Sequence, residues 1–470
     1  MKMYADIQIT DLNQQGQGLG RRDGQVIFVD RSIPGDKVRV RHVTDHGTYA
    51  TGELEQILEP SPDRIQPFCP LADGCGGCAL QPMRYDAQLK HKRQQVVQLL
   101  TRLGQVENAD HKVEATLGME HPFQYRCKIQ FPVRGTPEKP EIGFFARRSH
   151  AVVDGTTCGV GHPAGDLVRA CVRDYIHQYK VKPYNEASHQ GCLRHVVIRV
   201  ARRTGQVLVV LVSRTPHLPA TAELAHRLAE SLATLPPQAG DFSADIPAEK
   251  RLYTLGSLVL NHQPAKTNMI LGPHQTILAG GSWIEEELLG LRFQISPHSF
   301  FQVNPAQAEV LYTQAVAMAQ LEPEDLALDL YCGTGTIALA LAQKAASVIG
   351  VEAVAPAIAD ARTNASRNGF SNVRFEVAKA EDWLADYTTV ATVQPTVAVI
   401  DPPRRGCDRA LLEALRQVPL KRLVYISCNP ATLARDIQIL QPEYQVRRVV
   451  PVDMFPWTDS IECVCLLDRT

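Results

Sequence analysis

Apolar and polar positions alternate over short stretches at the start of the chain. Ala5–Thr10, Gln25–Val29, Lys37–His42 and Tyr49–Leu58 read as strands, punctuated by glycines at 16, 18, 20, 24, 35, 47 and 52. Short strands with turns at this spacing predict a small β-barrel over residues 1–60. Glu59-Pro-Ser-Pro-Asp63 reads as a linker. The period then changes. Leu89, Val96, Leu100 and Leu103 share one face of a helix from Tyr85 to Leu103, which Gly104 ends. Residues 113–290 are mixed. Cys127–Val133, Val196–Val200 and Gln206–Ser213 read as strands, and Thr221–Leu235 reads as a helix before a Pro/Gly-rich break.

From residue 291 the pattern becomes regular. Val303–Gln320 reads as a helix. Strands at Leu326–Tyr331, Ser347–Val351, Val373–Val377, Val397–Ile400 and Arg422–Ser427 then alternate with helices that include one from Thr334, one to Asn368 and one from Pro430. Such alternation predicts a parallel, doubly wound sheet. Gln445–Val452 and Ile461–Leu467 have no helix between them, so they are expected as an antiparallel pair at the sheet's end. The expected class is α/β: a small barrel (1–60), a central α+β domain (61–290) and a doubly wound domain (291–470).

Composition narrows the function. The chain has 470 residues, 44% hydrophobic, with ordinary numbers of Gly and Pro. That excludes collagen-like and disordered classes and suggests about three domains. The net charge of −1 excludes a chain that is basic throughout. Segments 84–103, 121–150 and 187–222, however, together carry 16 Lys and Arg against three Asp and Glu. Local basic fields of this kind suit a polyanion. No run of 18 apolar residues occurs, and the polar start lacks a signal-peptide core, so a cytoplasmic protein without a membrane partner is expected. Twelve cysteines in such a chain point to metal ligation, catalysis or burial rather than disulfides.

Leu328-Asp-Leu-Tyr-Cys-Gly-Thr-Gly-Thr336 joins a strand to a helix, and Gly333 and Gly335 let a ligand approach the backbone. Glu352 ends the next strand, placed to accept both ribose hydroxyls of a nucleoside. The full dinucleotide fingerprint is absent, which favours a single nucleoside over NAD. Ser427-Cys-Asn-Pro430 closes another strand and opens a helix, with Asn429 as N-cap and Pro430 at the first helical position. Cys428 therefore sits where the helix dipole favours a thiolate. Cys332 and Cys407 lack that context. Glu462 lies in the apolar run Ile461–Leu467, where burial would raise its pKa and suit it to general-base work. The bland alternatives are a buried small cysteine and an outward-facing strand glutamate. The D-x-x-C-G-x-G text resembles the first motif of the S-adenosylmethionine-dependent methyltransferases, and a thiolate, a base and such a methyl donor fit methylation of uracil C5, in which sulfur adds at C6 and so activates C5.

Cys69-x5-Cys75-Gly-Gly-Cys78 offers three thiolates in a compact loop. By spacing, a structural zinc and an iron–sulfur cluster are equal candidates. The fourth ligand must come from elsewhere, and Cys127, Cys158, Cys171 and Cys192 are all available.

The C-terminal part closely resembles the RNA uracil-C5 methyltransferases. The matching texts are Phe300-Phe-Gln-Val-Asn304, Asp329-Leu-Tyr-Cys-Gly-Thr-Gly335, Asp401-Pro-Pro-Arg-Arg-Gly406, Tyr425-Ile-Ser-Cys-Asn-Pro430 and the Phe455–Glu462 run. The first 60 residues resemble a TRAM domain, and the cysteine segment resembles that of the 23S ribosomal RNA branch. The resemblance implies a Rossmann-like S-adenosyl-L-methionine methyltransferase domain. It implies Cys428 as nucleophile and Glu462 as base, with Gln302, Tyr331, Glu352 and Asp401 holding the cofactor. Phe300 would stack on a flipped base. A [4Fe–4S] cluster would be held by Cys69, Cys75, Cys78 and Cys158. The implied partner is RNA, 23S rRNA first and tRNA second, and the chain is expected to act as a monomer. Two departures stand out: Ser460 and Trp457 occupy positions where related enzymes commonly carry His. Asp401-Pro-Pro-Arg lacks the cysteine of a cytosine-C5 enzyme and the aromatic of an adenine-N6 enzyme. An inactive iron–sulfur RNA-binding protein or chaperone is the rival from another class.

Overall fold

The computed structural model describes residues 5–390 and 392–470. Strands β1 (Ala5–Leu12), β2 (Gly18–Arg22), β3 (Gln25–Val29), β4 (Lys37–Asp45) and β5 (Tyr49–Glu59) close into a barrel in the order β1-β2-β3-β5-β4. Inward positions such as Ile7, Ile9, Val29, Val38 and Val40 fill it. The sequence reading missed β2 because its glycines read as turns. They serve closure instead: a Cβ on Gly20 would lie 2.7 Å from the Gln8 carbonyl oxygen. The expected linker is fastened. Buried Asp36 accepts from the Ser61 amide at 2.9 Å and from Arg64 Nε at 2.9 Å.

Next come α1 (Tyr85–Arg102) and α2 (Ala109–Lys112). The central sheet follows: β6 (Lys128–Gly135), β7 (Pro140–Phe145), β8 (Val152–Asp154), α3 (Pro163–Tyr179), β9 (Leu193–Val200), β10 (Gln206–Ser213), α4 (Thr221–Ala233), β11 (Thr254–His262) and β12 (His274–Gly280). Its order is β12-β11-β10-β9-β6-β7-β8. Helices α3 and α4 cover one face with Val168, Val172, Leu224 and Leu228. The other face, through Val197, Val210 and Val259, shares a core with the C-terminal domain. Burial on both faces explains why β10 reads as a nearly unbroken apolar run.

The hairpin β13 (Ile284–Leu288) and β14 (Leu291–Ile295) leads to α5 (Pro305–Ala319). The expected start at Val303 moves to Pro305 because Asn304 caps the helix, accepting from the Gln307 amide at 3.3 Å. The C-terminal domain contains β15 (Leu326–Leu330), α6 (Thr336–Ala342), β16 (Ser347–Glu352), α7 (Ala355–Arg367), β17 (Val373–Val377), α8 (Ala380–Val390), β18 (Val397–Ile400), α9 (Arg409–Gln417), β19 (Arg422–Ser427), α10 (Pro430–Leu440), β20 (Tyr444–Val452) and β21 (Glu462–Arg469). The sheet order β17-β16-β15-β18-β19-β21-β20 bears out the doubly wound reading, with β21 antiparallel to both β19 and β20. Among the described residues, no helix is long and apolar enough to cross a membrane.

Helix α1 lies in the middle of the chain but packs on the C-terminal sheet through Val96, Val97 and Leu100. Its Lys92, fully buried, donates to Asp453 Oδ1 at 2.6 Å and to the Phe455 carbonyl at 3.3 Å. Asp453 Oδ2 is buried without a hydrogen-bond partner. Lys92→Met would strand a charge in the core. A loss of about 3–5 kcal/mol is expected, read as an earlier urea transition. Lys92→Met combined with Asp453→Asn should recover part of it, because no unpaired charge is then left.

Candidate active site

Strands β15, β16, β18 and β19 are parallel neighbours, so their carboxyl ends lie together at one end of the sheet, where ligands bind in doubly wound folds. Strand β15 runs into Tyr331, whose φ of +74° turns the chain out of the sheet. Gly333 and Gly335 follow, with φ of +53° and +85°. A Cβ on Gly333 would meet nothing within 4 Å, whereas one on Gly335 would lie 3.1 Å from the Ala361 Cβ. Gly335 thus serves close packing, and Gly333 borders open space where a ligand fits. Glu352 ends β16, and its Oε1 accepts from the Val354 amide at 2.9 Å.

Acidic groups gather here. Asp329 is fully buried, with neither carboxylate oxygen satisfied by hydrogen-bond geometry. Burial, then the charges of Asp401 and Glu352, push its pKa up to about 8, which the Ala338 amide offsets only in part. Burial pushes Asp401 up to about 7. Glu462 is 5% exposed. Burial, then Asp401, raises its pKa well above the ordinary value, against the pull of Arg404. A crevice this rich in strained carboxylates is prepared for a cationic ligand.

Cys428 and Glu462 come together through sheet register. Ser427 on β19 pairs with Cys463 on β21. Continuing that antiparallel register by one rung sets Cys428 opposite Glu462. The Cys428 thiol is pushed up to about 11 by burial, then by Glu462 and Asp401, with Arg404 opposing. The helix terminus anticipated from sequence is present: Asn429 caps α10, accepting from the Ala431 amide at 3.1 Å. In this electrostatic setting its pull on the thiol is outweighed by the two carboxylates and burial. Asn429 also donates to the Arg404 carbonyl at 3.1 Å, tying the cysteine turn to the Asp401-Pro-Pro-Arg turn.

Gln302 donates to the Tyr312 hydroxyl at 3.2 Å. Tyr312 on α5 was not singled out from the sequence. Burial and then Asp401, with Glu462 and Asp329, raise its pKa, which places the phenol among all three carboxylates. Phe300 is 67% exposed beside buried Phe301. Its loop is clamped from two sides. Arg199 of the central sheet donates to the Ser299 carbonyl, and the Ser299 hydroxyl donates to Asp360 of α7 at 2.8 Å.

The loop before Glu462 is also fixed. Asn304 Nδ2 donates to the Met454 carbonyl at 2.9 Å, and Tyr125 donates to that of Pro456 at 2.9 Å. Trp457 is buried, donates from Nε1 to the Pro122 carbonyl at 2.6 Å and packs on Phe68, Tyr85 and Phe123. It is therefore a structural anchor. Ser460 Oγ has no hydrogen-bond partner among the described residues.

Cys69, Cys75, Cys78 and Cys158 line one small cavity with Phe144 and Arg169. All are free thiols. Burial raises Cys75 and Cys158 and pushes Cys78 up to about 12. The competing Cys127 lies in the core of the central sheet, and Cys171 on α3 contacts Ser231. Among the described residues, no three His, Cys, Asp or Glu side chains are arranged to hold a single metal ion.

The family model for tRNA (Uracil-5-)-methyltransferase matches residues 281–470, and the TRAM domain model matches residues 4–54. The chain is 41% identical over 463 residues to an uncharacterized RNA methyltransferase of Listeria monocytogenes serotype 4b, covering 98% of this chain and 97% of the relative. A second such protein, from Halalkalibacterium halodurans, is 40% identical over 464 residues, covering 98% and 96%. Among solved structures, the chain is similar to the Pyrococcus abyssi tRNA (uracil-54, C5)-methyltransferase in complex with S-adenosyl-L-homocysteine. The TM-score is 0.76 at 26% identity, covering 99% of this chain and 100% of that one. Motifs and full-length likeness agree, and the chain belongs to the RNA methyltransferase family, its C-terminal part matching the uracil-5 model.

Proposed function

We propose that this enzyme methylates C5 of a uracil in RNA through a covalent bond between Cys428 and C6 of the base. What supports the reading is the β19–β21 register, whose last pair, Ser427 with Cys463, directly adjoins Cys428 and Glu462. S-adenosyl-L-methionine supplies an electrophilic methyl group on a sulfonium. Glu352 would accept its ribose hydroxyls, and Gln302, Tyr331 and Asp401 would complete the cofactor site.

Each residue then has a task. Phe300, exposed on a clamped loop, stacks against the extruded base and helps hold it out of the RNA. Cys428 adds as a thiolate to C6, and the electron pair moves toward C4 oxygen, making C5 nucleophilic. After C5 is methylated, Glu462 removes the C5 proton. The C6–sulfur bond breaks as the double bond re-forms, and Cys428 leaves as a thiolate. The charges of Glu462 and Asp401 disfavour that thiolate in the empty site, and a bound cation reverses this effect.

We assign 23S rRNA as the substrate, from the cysteine segment. We also assign Cys69, Cys75, Cys78 and Cys158 as holders of a [4Fe–4S] cluster that organises the loop. A tRNA substrate is the second reading, favoured by the full-length likeness to the Pyrococcus abyssi enzyme. The test uses ribosomal RNA and tRNA transcripts tritiated at uracil C5. Cofactor-dependent release of tritium to water from one RNA and not the other is expected. No release from either, with labelled methyl still entering RNA, would overturn the C5 reading.

A further inference from the structure

Alternation along β6 and the residues just before it separates two faces. Cys127, Ile129 and Phe131 point into the core under α3 and α4. Arg126, Lys128 and Gln130 point the other way, along a groove of about 790 Å³. The far wall is Gly76–Gly77 of the cysteine loop and the turn at Arg147–His150. One end reaches Val303, next to Gln302 and three residues from Phe300. No Asp or Glu lines this groove, although Cys75, Cys78 and Cys158 do.

The cations on its walls differ in one respect. Arg147 and Arg148 are paired with Asp30 at 3.3 and 3.7 Å, and His150 with Glu186 at 3.3 Å. Arg126 and Lys128 have no acidic partner among the described residues. Lys128 is half-buried, and burial, then Arg199 and Arg126, push its pKa down to about 8. A half-buried ammonium beside two guanidinium groups and no carboxylate is unfavourable by itself. An anion in the groove would relieve it. The anion this protein meets is a phosphodiester, and the groove ends at the loop that would hold the flipped base.

We propose that this groove is the track for the RNA backbone flanking the target nucleotide, with Lys128 as a direct phosphate contact. The proposal rests on the RNA reading above. Its test is the salt dependence of binding. Labelled single-stranded RNA containing the methylated site is titrated with wild type and with Lys128→Gln between about 50 and 200 mM salt. The variant should bind about five- to tenfold more weakly at the low end. Its slope of log affinity against log salt should be shallower by about 0.7, the release from one single-strand phosphate. Binding of S-adenosylmethionine should be unchanged, and Lys128→Arg should restore both slope and affinity. Gln130→Glu gives an independent reading, because a carboxylate on the same face should weaken RNA binding at least fivefold. Unchanged slope in Lys128→Gln, or unchanged affinity in Gln130→Glu, overturns the proposal. Failure of the wild type to bind any RNA overturns the RNA reading instead, and is recognised because no slope exists to compare.

Discussion

Replacing Cys428 with alanine is expected to abolish methyl transfer, lowering turnover by about four orders of magnitude or more. The size follows from the chemistry. C5 of uracil carries too little electron density to attack a methyl group, and only addition at C6 supplies it. No neighbouring group replaces the sulfur. Cys332 lies in the β15 turn and Cys407 is buried against Tyr425, both away from the β19–β21 rung. The fold should survive, since Cys428 is only half-buried and its turn is held by Asn429 and Ser427. Cofactor affinity should therefore stay within about threefold, and alanine should also remove any RNA–protein adduct on a denaturing gel. The wild-type rate should climb with pH over the neutral range. Its thiol is pushed up to about 11 in the empty site, so each unit of pH below that value gives about tenfold more thiolate. The climb should move to lower pH at saturating cofactor, because a sulfonium opposes Glu462 and Asp401. Normal turnover by a folded, cofactor-binding Cys428→Ala variant would sink the covalent mechanism.

How far the sequence alone carried is clearest from particular residues. The C-terminal sheet was legible because each strand is a short apolar run closed by a chemically marked turn, as at Leu328–Gly335 and Tyr425–Pro430. Helices α2, α3, α8 and α9 escaped, and so did β2, β7, β8 and β11 to β14. Edge strand β12 is largely exposed, so its pattern carries no buried face. Glycines in β2 looked like punctuation although barrel closure demands them. Sequence spacing could mark Cys428 and Glu462 as separate candidates. It could not pair them, since a 34-residue separation becomes a single rung only through β19–β21 register. The same holds for Lys92 and Asp453, and for Tyr312 among the carboxylates. These are long-range juxtapositions, invisible to local periodicity. The dipole argument for Cys428 was incomplete, because it could not include two carboxylates from elsewhere in the chain that raise the thiol instead.

Substituting Glu462 with glutamine should stop the reaction after methyl transfer rather than before it. Cys428, Asp401 and the cofactor-facing turns are untouched, so addition at C6 and methylation of C5 proceed. Only removal of the C5 proton fails, because an amide cannot accept it. The methylated base then stays bonded to Cys428. The expected result is a near-stoichiometric, denaturant-resistant RNA–protein adduct carrying the transferred methyl, with turnover down about a thousandfold. Tritium at C5 should be retained in that adduct. A structural glutamate would behave differently, losing adduct and turnover together. Stability provides a second, independent reading. Burial holds the Glu462 pKa well above its ordinary value, so the folded chain keeps a proton that the unfolded chain releases above about pH 4.3. Stability from this group is therefore full below that pH and falls as pH rises toward the folded value. Glutamine never ionises. The variant should match wild type in melting temperature near pH 4 and exceed it progressively toward neutrality. A variant that is inactive, adduct-free and less stable at pH 7 would mean that Glu462 holds the strand pair rather than the proton.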